Sequence, residues 1–239
     1  MIEISNVTKV YGGRIRAVDN ITFTVEPGCI YGFLGPNGAG KTTTIKLIAG
    51  IIRPDSGTIR VCGHDTAREA LAAKKSIGFV PDDPNAFLHL KGLEYLKFMG
   101  DIYEVDVRKR REIIGSLAER FDMAKALGDK IQSYSHGMRQ KIVIMGALMH
   151  QPRVWLLDEP MTGLDPKSAF ELKSMMREHA DAGNTVFFST HVLEVAEKLC
   201  DSVAVIGAGQ LLYSGSMDGL KSHRGESLEK LFLEMTENA

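Results

Sequence analysis

The chain has 239 residues, enough to bury a core as one large domain or two small ones. Hydrophobic residues make up 44% and charged residues 25%, the composition of an ordinary globular protein. The 29 basic and 30 acidic side chains give a net charge of −1, without the basic excess that nucleic-acid binding favours.

The first third alternates short strands with turns. Glu3 to Val10 and Ala17 to Val25 read as strands around a turn at Gly12-Gly13, and Pro27-Gly28 punctuates the second. The apolar run Cys29 to Leu34 reads as a buried strand, and Thr42 to Ala49 as a helix ending at Gly50. Pro54-Asp55-Ser56-Gly57 is a turn before a strand at Thr58 to Val61; Ile77 to Val80 is another strand, stopped by Pro81. After Pro84 the character changes to helical. Leu93, Leu96, Lys97 and Gly100 mark one helix, with Tyr95 and Phe98 widening its face. A polar helix from about Val107 to Phe121 carries the cluster Arg108-Lys109-Arg110-Arg111, read as a solvated face. A third helix begins near His136.

Strand and helix then alternate again. Val154 to Leu157, Thr185 to Ser189 and Val203 to Ile206 read as strands, Pro166 to Ala182 and Val192 to Leu199 as helices. Such alternation predicts an α/β fold with a mainly parallel sheet. The expected organisation is one unit: an α/β core over 1–82 and 151–215 that begins with an antiparallel β layer, a helical insertion over 83–150, and a short helical tail over 216–239. In the tail, Leu228, Leu231, Phe232 and Met235 form an amphipathic pattern. Cys29, Cys62 and Cys200 are odd in number, lack metal-type spacing and suit a reducing cytosol. The longest apolar run, Ile142 to Met149, is far short of a membrane span, so any work at a membrane would be that of a peripheral subunit.

The chemistry starts at Gly35-Pro36-Asn37-Gly38-Ala39-Gly40-Lys41-Thr42, which fits the phosphate-loop pattern G-x-x-x-x-G-K-[ST] at every fixed position. A strand before it and a helix after it are the context such a loop needs. Glycines let backbone N–H groups turn inward, and those groups hold phosphate oxygens together with the positive end of the helix. Lys41 then reaches the β- and γ-phosphates and the Thr42 hydroxyl ligates Mg²⁺. Thr43 lies in the same cradle. A glycine-rich turn ahead of a helix is the plain alternative, and the flanking elements disfavour it. A second group is Asp158-Glu159, two acids at the tip of an apolar strand, where carboxylates need a cation or a catalytic role to offset desolvation. Beside a phosphate loop, Asp158 is placed to hold Mg²⁺, and Glu159 to orient or deprotonate the attacking water.

With these residues and four further motifs in order, the chain resembles a nucleotide-binding subunit of the ATP-binding cassette (ABC) transporter family. Tyr134-Ser135-His136-Gly137-Met138 resembles the family's signature motif, retaining its Ser and second Gly and departing at Tyr134, His136 and Met138. Gly163-Leu164-Asp165 resembles the D-loop that couples two active sites. Thr190-His191 resembles the switch histidine at the γ-phosphate. Tyr11 stands where the family keeps an aromatic that stacks on adenine. After Pro81, Asp82 replaces a glutamine that ligates Mg²⁺ and senses the membrane partner; a carboxylate is still a suitable oxygen ligand.

The resemblance covers about Ile2 to Gly215. It implies that ATP is bound by Tyr11, the loop Gly35 to Thr43 and His191, with Mg²⁺ held by Thr42, Asp82 and Asp158 and catalysis by Glu159, His191 and Lys41. It also implies a homo- or heterodimer in which Ser135 to Met138 act on the partner's ATP. A separate polytopic permease is implied too, docked on the helical insertion near Asp82 to Leu96 at the cytoplasmic face, with export the favoured direction. A soluble regulatory ATPase of the same fold is the alternative. It fits less well, because the chain has neither a tandem cassette nor a long coiled-coil insertion. A phosphate-loop kinase would leave Ser135, Gly137 and His191 unexplained.

Overall fold

The computed structural model describes residues 1–222 and Phe232. Two antiparallel strands open the chain, β1 (Ile2–Tyr11) and β2 (Ile15–Val25), followed by the fully buried β3 (Ile30–Leu34) and helix α1 (Lys41–Ile48). Then come β4 (Ser56–Val61), β5 (His64–Asp65), α2 (Ala70–Lys75) and β6 (Ile77–Val80). Helices α3 (Gly92–Ile102), α4 (Val107–Arg120) and α5 (His136–Leu148) occupy the middle, with two 3₁₀ turns between α4 and α5. The chain returns through β7 (Val154–Leu157), α6 (Pro166–Asp181), β8 (Thr185–Thr190), α7 (Leu193–Leu199) and β9 (Ser202–Gly207). The last described elements are β10 (Gln210–Ser216) and α8 (Met217–Ser222).

Among the described residues the strands form two sheets. One is antiparallel, in the order β2-β1-β4-β5; the other runs β10-β9-β3-β8-β7-β6. In the second, all neighbours from β9 to β6 are parallel, and β10 adds an antiparallel edge. Parallel strands must be covered on both faces, which explains why β3, β7 and β8 are buried at every position. On one face Phe33, Phe187, Tyr31 and Phe23 stack with ring centroids 5.4–6.2 Å apart, joining the antiparallel sheet to the parallel one. On the other face Trp155, Leu157, Phe188 and Val186 pack with α5 and α6 residues such as Ile144, Leu172 and Met176. Each large apolar side chain fully buried in these layers contributes about 1.5–3 kcal/mol.

The α/β layout and each long element match the expectation, with limits unchanged or shifted by one or two residues. Helix α1 starts at Lys41 and not Thr42, because Gly40, at φ +108°, already serves as its N-cap. Three short elements carried no readable period: β5, two residues long; α2, one and a half turns; and β10, an edge strand without clean alternation of buried and exposed residues. The basic cluster on α4 is solvent-exposed at Arg108, Lys109 and Arg111, but Arg110 departs from that reading. Its guanidinium lies over Gly100 of α3, pairs with Asp101 at 2.7 Å and donates to the Val105 carbonyl at 3.0 Å. On the other side of α4, Arg120 makes a forked pair with Glu178 of α6 (both contacts 2.7 Å) and a further bond to Glu171. In the tail, Leu228, Leu231 and Met235 lie outside the described residues, while Phe232 packs against the larger core. The three cysteines are free.

Two histidines are packed as neutral rings. His150 stacks on Tyr103 (centroids 3.6 Å apart) and bonds the Ile77 carbonyl at 3.1 Å; His179 sits edge-on to Trp155. Burial lowers both pKa values from 6.5 to about 4. The unfolded chain therefore binds more protons between these limits, so stability is full above pH 6.5 and falls as pH drops towards 4. The melting temperature of wild type should fall more steeply from pH 7 to pH 4.5 than that of a His150→Gln/His179→Gln variant. Parallel curves would show that other groups dominate.

Candidate functional site

Register assembles the site. Leu34 pairs with Thr190, Leu157 with Phe188, and Val80 with Leu157, so β3, β8, β7 and β6 end along one line. The next residues on each strand are Gly35, His191, Asp158 and Pro81-Asp82. In open α/β sheets ligands collect outside this carboxyl edge. A cleft of about 280 Å³ lies there, lined by Ala17, Asn37, Gly38, Gly40, Lys41, Thr42, Thr43, Asp82 and Glu159. A larger surface cavity between α4 and α6 contains none of these residues.

The loop from Gly35 to Gly40 is held from behind. A Cβ on Gly35 would lie 2.5 Å from the Ile206 carbonyl oxygen, and one on Gly40 would lie 2.3 Å from that of Ala17. The Gly209 amide donates to the Ala39 carbonyl at 3.0 Å, tying the loop to the β9–β10 turn. The first bonded amide at the start of α1 is Thr44 N–H, to Gly40 O at 2.9 Å. The earlier amides have no intrahelical acceptor, as at every helix start, and the helix offers them to an anion. Lys41, only 6% exposed, donates to the carbonyls of Gly35 (2.8 Å) and Pro36 (3.1 Å), which fixes its ammonium inside the loop.

Glu159 joins the sequence-predicted catalytic groups. Its Oε1 lies 3.5 Å from Lys41 Nζ and 3.1 Å from His191 Nδ1. The residue adopts φ +45°, a left-handed conformation that costs a non-glycine residue about 1–3 kcal/mol. Asp158 is fully buried. Burial raises its pKa; Ser189 and Thr42 beside it act in the opposite direction, while Asp82 and Glu159 add to the rise. Its Oδ1 accepts a bond from Ser189 Oγ at 2.6 Å, and its Oδ2 has no hydrogen-bond partner among the described residues. A buried carboxylate oxygen without a partner beside a threonine hydroxyl suits a hard cation such as Mg²⁺.

The remaining sequence-predicted residues lie outside this cleft. Tyr11 ends β1, partly exposed, with Lys9 Nζ 5.7 Å from its ring centre and Lys9 paired to Asp55 at 3.0 Å. Ser135 is the N-cap of α5 and accepts from the Met138 amide at 3.2 Å; His136 is exposed. The His136 ring packs on Gly163, where an added Cβ would come within 2.1 Å of it, and Gly137 faces the Gly163 carbonyl. Asp165 caps α6, accepting from Ser168, and pairs with Lys141 of α5 at 3.0 Å; the Ser168 bonds and Lys141 hold its pKa far below the usual carboxylate range. Signature and D-loop segments are thus packed together within one chain. Sequence reasoning missed Ser189, Lys141 and Gln140, whose Nε2 reaches the Pro160 carbonyl at 3.5 Å. A hydroxyl at the end of an apolar strand was the only available sign of Ser189.

A glycine loop at the carboxyl edge of a parallel sheet, with a buried lysine and two acids facing it, defines a phosphate-loop nucleoside triphosphatase. The chain belongs to the ABC transporter family, whose pattern it matches over residues 18–162, and it is an ATP-binding subunit whose hydrolysis of ATP is coupled to transport. It is 38% identical over 232 residues to the daunorubicin/doxorubicin resistance ATP-binding protein DrrA of Streptomyces peucetius, across 97% of this chain and 70% of that protein. It is 34% identical to the Nod factor export ATP-binding protein I of Cupriavidus metallidurans, across 90% and 71%. A solved ATP-binding subunit of an ABC transporter superposes with a TM-score of 0.93 at 29% identity, across 98% of this chain and 99% of that one.

The glycines separate two kinds of constraint. Gly40 (φ +108°) abuts Ala17, whereas Gly38 (φ +81°) has no atom within 4 Å of an added Cβ. Gly40→Ala should therefore weaken ATP binding at least about tenfold more than Gly38→Ala, strain and clash adding at Gly40 against strain alone at Gly38. Nucleotide titration of both variants checks this; equal losses would refute it.

Proposed function

We propose that this chain is the ATPase of an exporter, and that Glu159 is its general base. The observation that carries the reading is the Glu159 carboxylate between Lys41 and His191, at the mouth of the phosphate loop. In this structure that carboxylate balances the Lys41 ammonium. Arriving phosphate oxygens would take over that role and leave Glu159 facing the γ-phosphate. Water would then attack γ-phosphorus as its proton passes to the Glu159 carboxylate, and the bond from phosphorus to the β–γ bridging oxygen would break. His191 contacts Glu159 through Nδ1 and would offer its other ring nitrogen to the γ-phosphate. The amides from Gly38 to Thr43 and the Lys41 ammonium bind the triphosphate, and Tyr11 supports the adenine. Thr42 and Asp158, with Asp82 at the cleft wall, would hold Mg²⁺. That ion supplies neutralising charge on the phosphates.

The second half of the ATP site comes from another copy or a related subunit. Ser135, His136, Gly137 and Met138, at the start of α5, lie away from this chain's own cleft and are offered at the surface as an anion-binding helix start. Asp165 links that start to the loop after Glu159. ATP enclosed between two such faces acts as an adhesive that hydrolysis removes. No helix among the described residues is long and apolar enough to cross a membrane. The transport path would belong to a separate permease. Phe87, Phe98 and Ile102, all substantially exposed apolar residues of the helical insertion, suit its docking at the cytoplasmic face. Phe87 touches both Tyr95 and Phe98, with centroids 5.2 and 5.7 Å apart. Drug-resistance and export roles in the names of the relatives support outward transport.

Glu159→Gln should bind MgATP, hydrolyse it at least about a hundredfold more slowly and accumulate as a dimer in light scattering. Normal turnover would assign water activation to another group. Phe87→Ala/Phe98→Ala should lower co-purification with the membrane subunit without weakening ATP binding by the isolated chain. Undiminished co-purification would move the docking surface elsewhere.

A further inference from the structure

We infer that Ser189 is a positioning residue for hydrolysis, setting Asp158 and Glu159 as one rigid unit through a single hydroxyl. The inference rests on the roles proposed above for those two acids. Ser189 is fully buried at the carboxyl end of β8. Its Oγ–H donates to Asp158 Oδ1 at 2.6 Å, and the same oxygen accepts the Glu159 amide at 3.0 Å. One hydroxyl can do both, because it carries one donor and two lone pairs.

The parallel register pairing Leu157 with Phe188 brings the two strand ends side by side. Both partners need such support. Asp158 is a buried carboxylate with one oxygen already free of protein partners, so losing the Ser189 bond would leave the other oxygen without that donor as well. Glu159 is held at φ +45°, a conformation that persists only where its surroundings enforce it. The amide bonded to Ser189 is the one at the strained residue itself. Without that bond, Glu159 could relax towards ordinary backbone angles and take its carboxylate away from Lys41 and His191. Alanine removes the hydroxyl and both bonds, whereas threonine keeps it.

The test compares Ser189→Ala, Ser189→Thr and Glu159→Gln with wild type. For Ser189→Ala, kcat should fall about 10–100-fold with KM for ATP little changed, the loss typical of removing a group that orients a ligand or base. Ser189→Thr should recover most of the rate. In the nucleotide-free protein, amide exchange at Glu159 should be faster in Ser189→Ala than in wild type and protected again in Ser189→Thr. If Ser189→Ala keeps both the wild-type rate and wild-type exchange, or if Ser189→Thr loses as much rate as Ser189→Ala, the inference is overturned. If instead Glu159→Gln turns over normally, the assignment of the base fails, whatever the serine variants do.

Discussion

Everything in this molecule depends on the parallel pairing of β3, β8, β7 and β6. Their apolar residues have to be covered on both faces, and that burial fixes the register, because a slip by one residue would exchange the two faces. Once register is fixed, the strands end together, and the first polar residue after each end becomes part of a single site. The phosphate loop, the acid pair, His191 and Asp82 converge for this reason and not through direct attraction. Hydrophobic packing beneath them keeps them together.

Within that frame the site keeps its polar groups under tension. Lys41 is bonded to carbonyls of its own loop and balanced by Glu159. Asp158 is buried, its charge opposed by desolvation and supported by two hydroxyls. Glu159 occupies an unfavourable backbone region. The buried carboxylate and the strained backbone cost stability, and a ligand that binds only the folded site adds to it, so ligand binding and folding are thermodynamically linked. The sheet and its packed helices supply the stability that lets the edge remain polar and strained.

Much of this was legible in the sequence because the chemistry dictates residue type. A phosphate loop needs glycine at Gly35 and Gly40, where any side chain meets backbone, and lysine at Lys41. Two acids after four apolar residues, Val154 to Leu157, announce themselves at Asp158 and Glu159. What stayed hidden depends on partners distant in the chain. Ser189 means nothing without knowing that β8 lies beside β7. Arg110 looked like part of a solvated run until Gly100 provided the surface over which it lies. Strand β10 forms at an edge, where half of its residues face solvent and alternation is lost, and α2 is too short for a helical period to show.

One contact made between loops has a reach beyond its size. The His136 ring rests on Gly163, and Lys141 grips Asp165, so the start of α5 and the turn that follows Glu159 are bolted to each other. Displacing one without the other would break the Lys141–Asp165 pair and the ring contact. A movement of the turn after Glu159 would therefore strain the start of α5, near Ser135, for as long as these contacts hold.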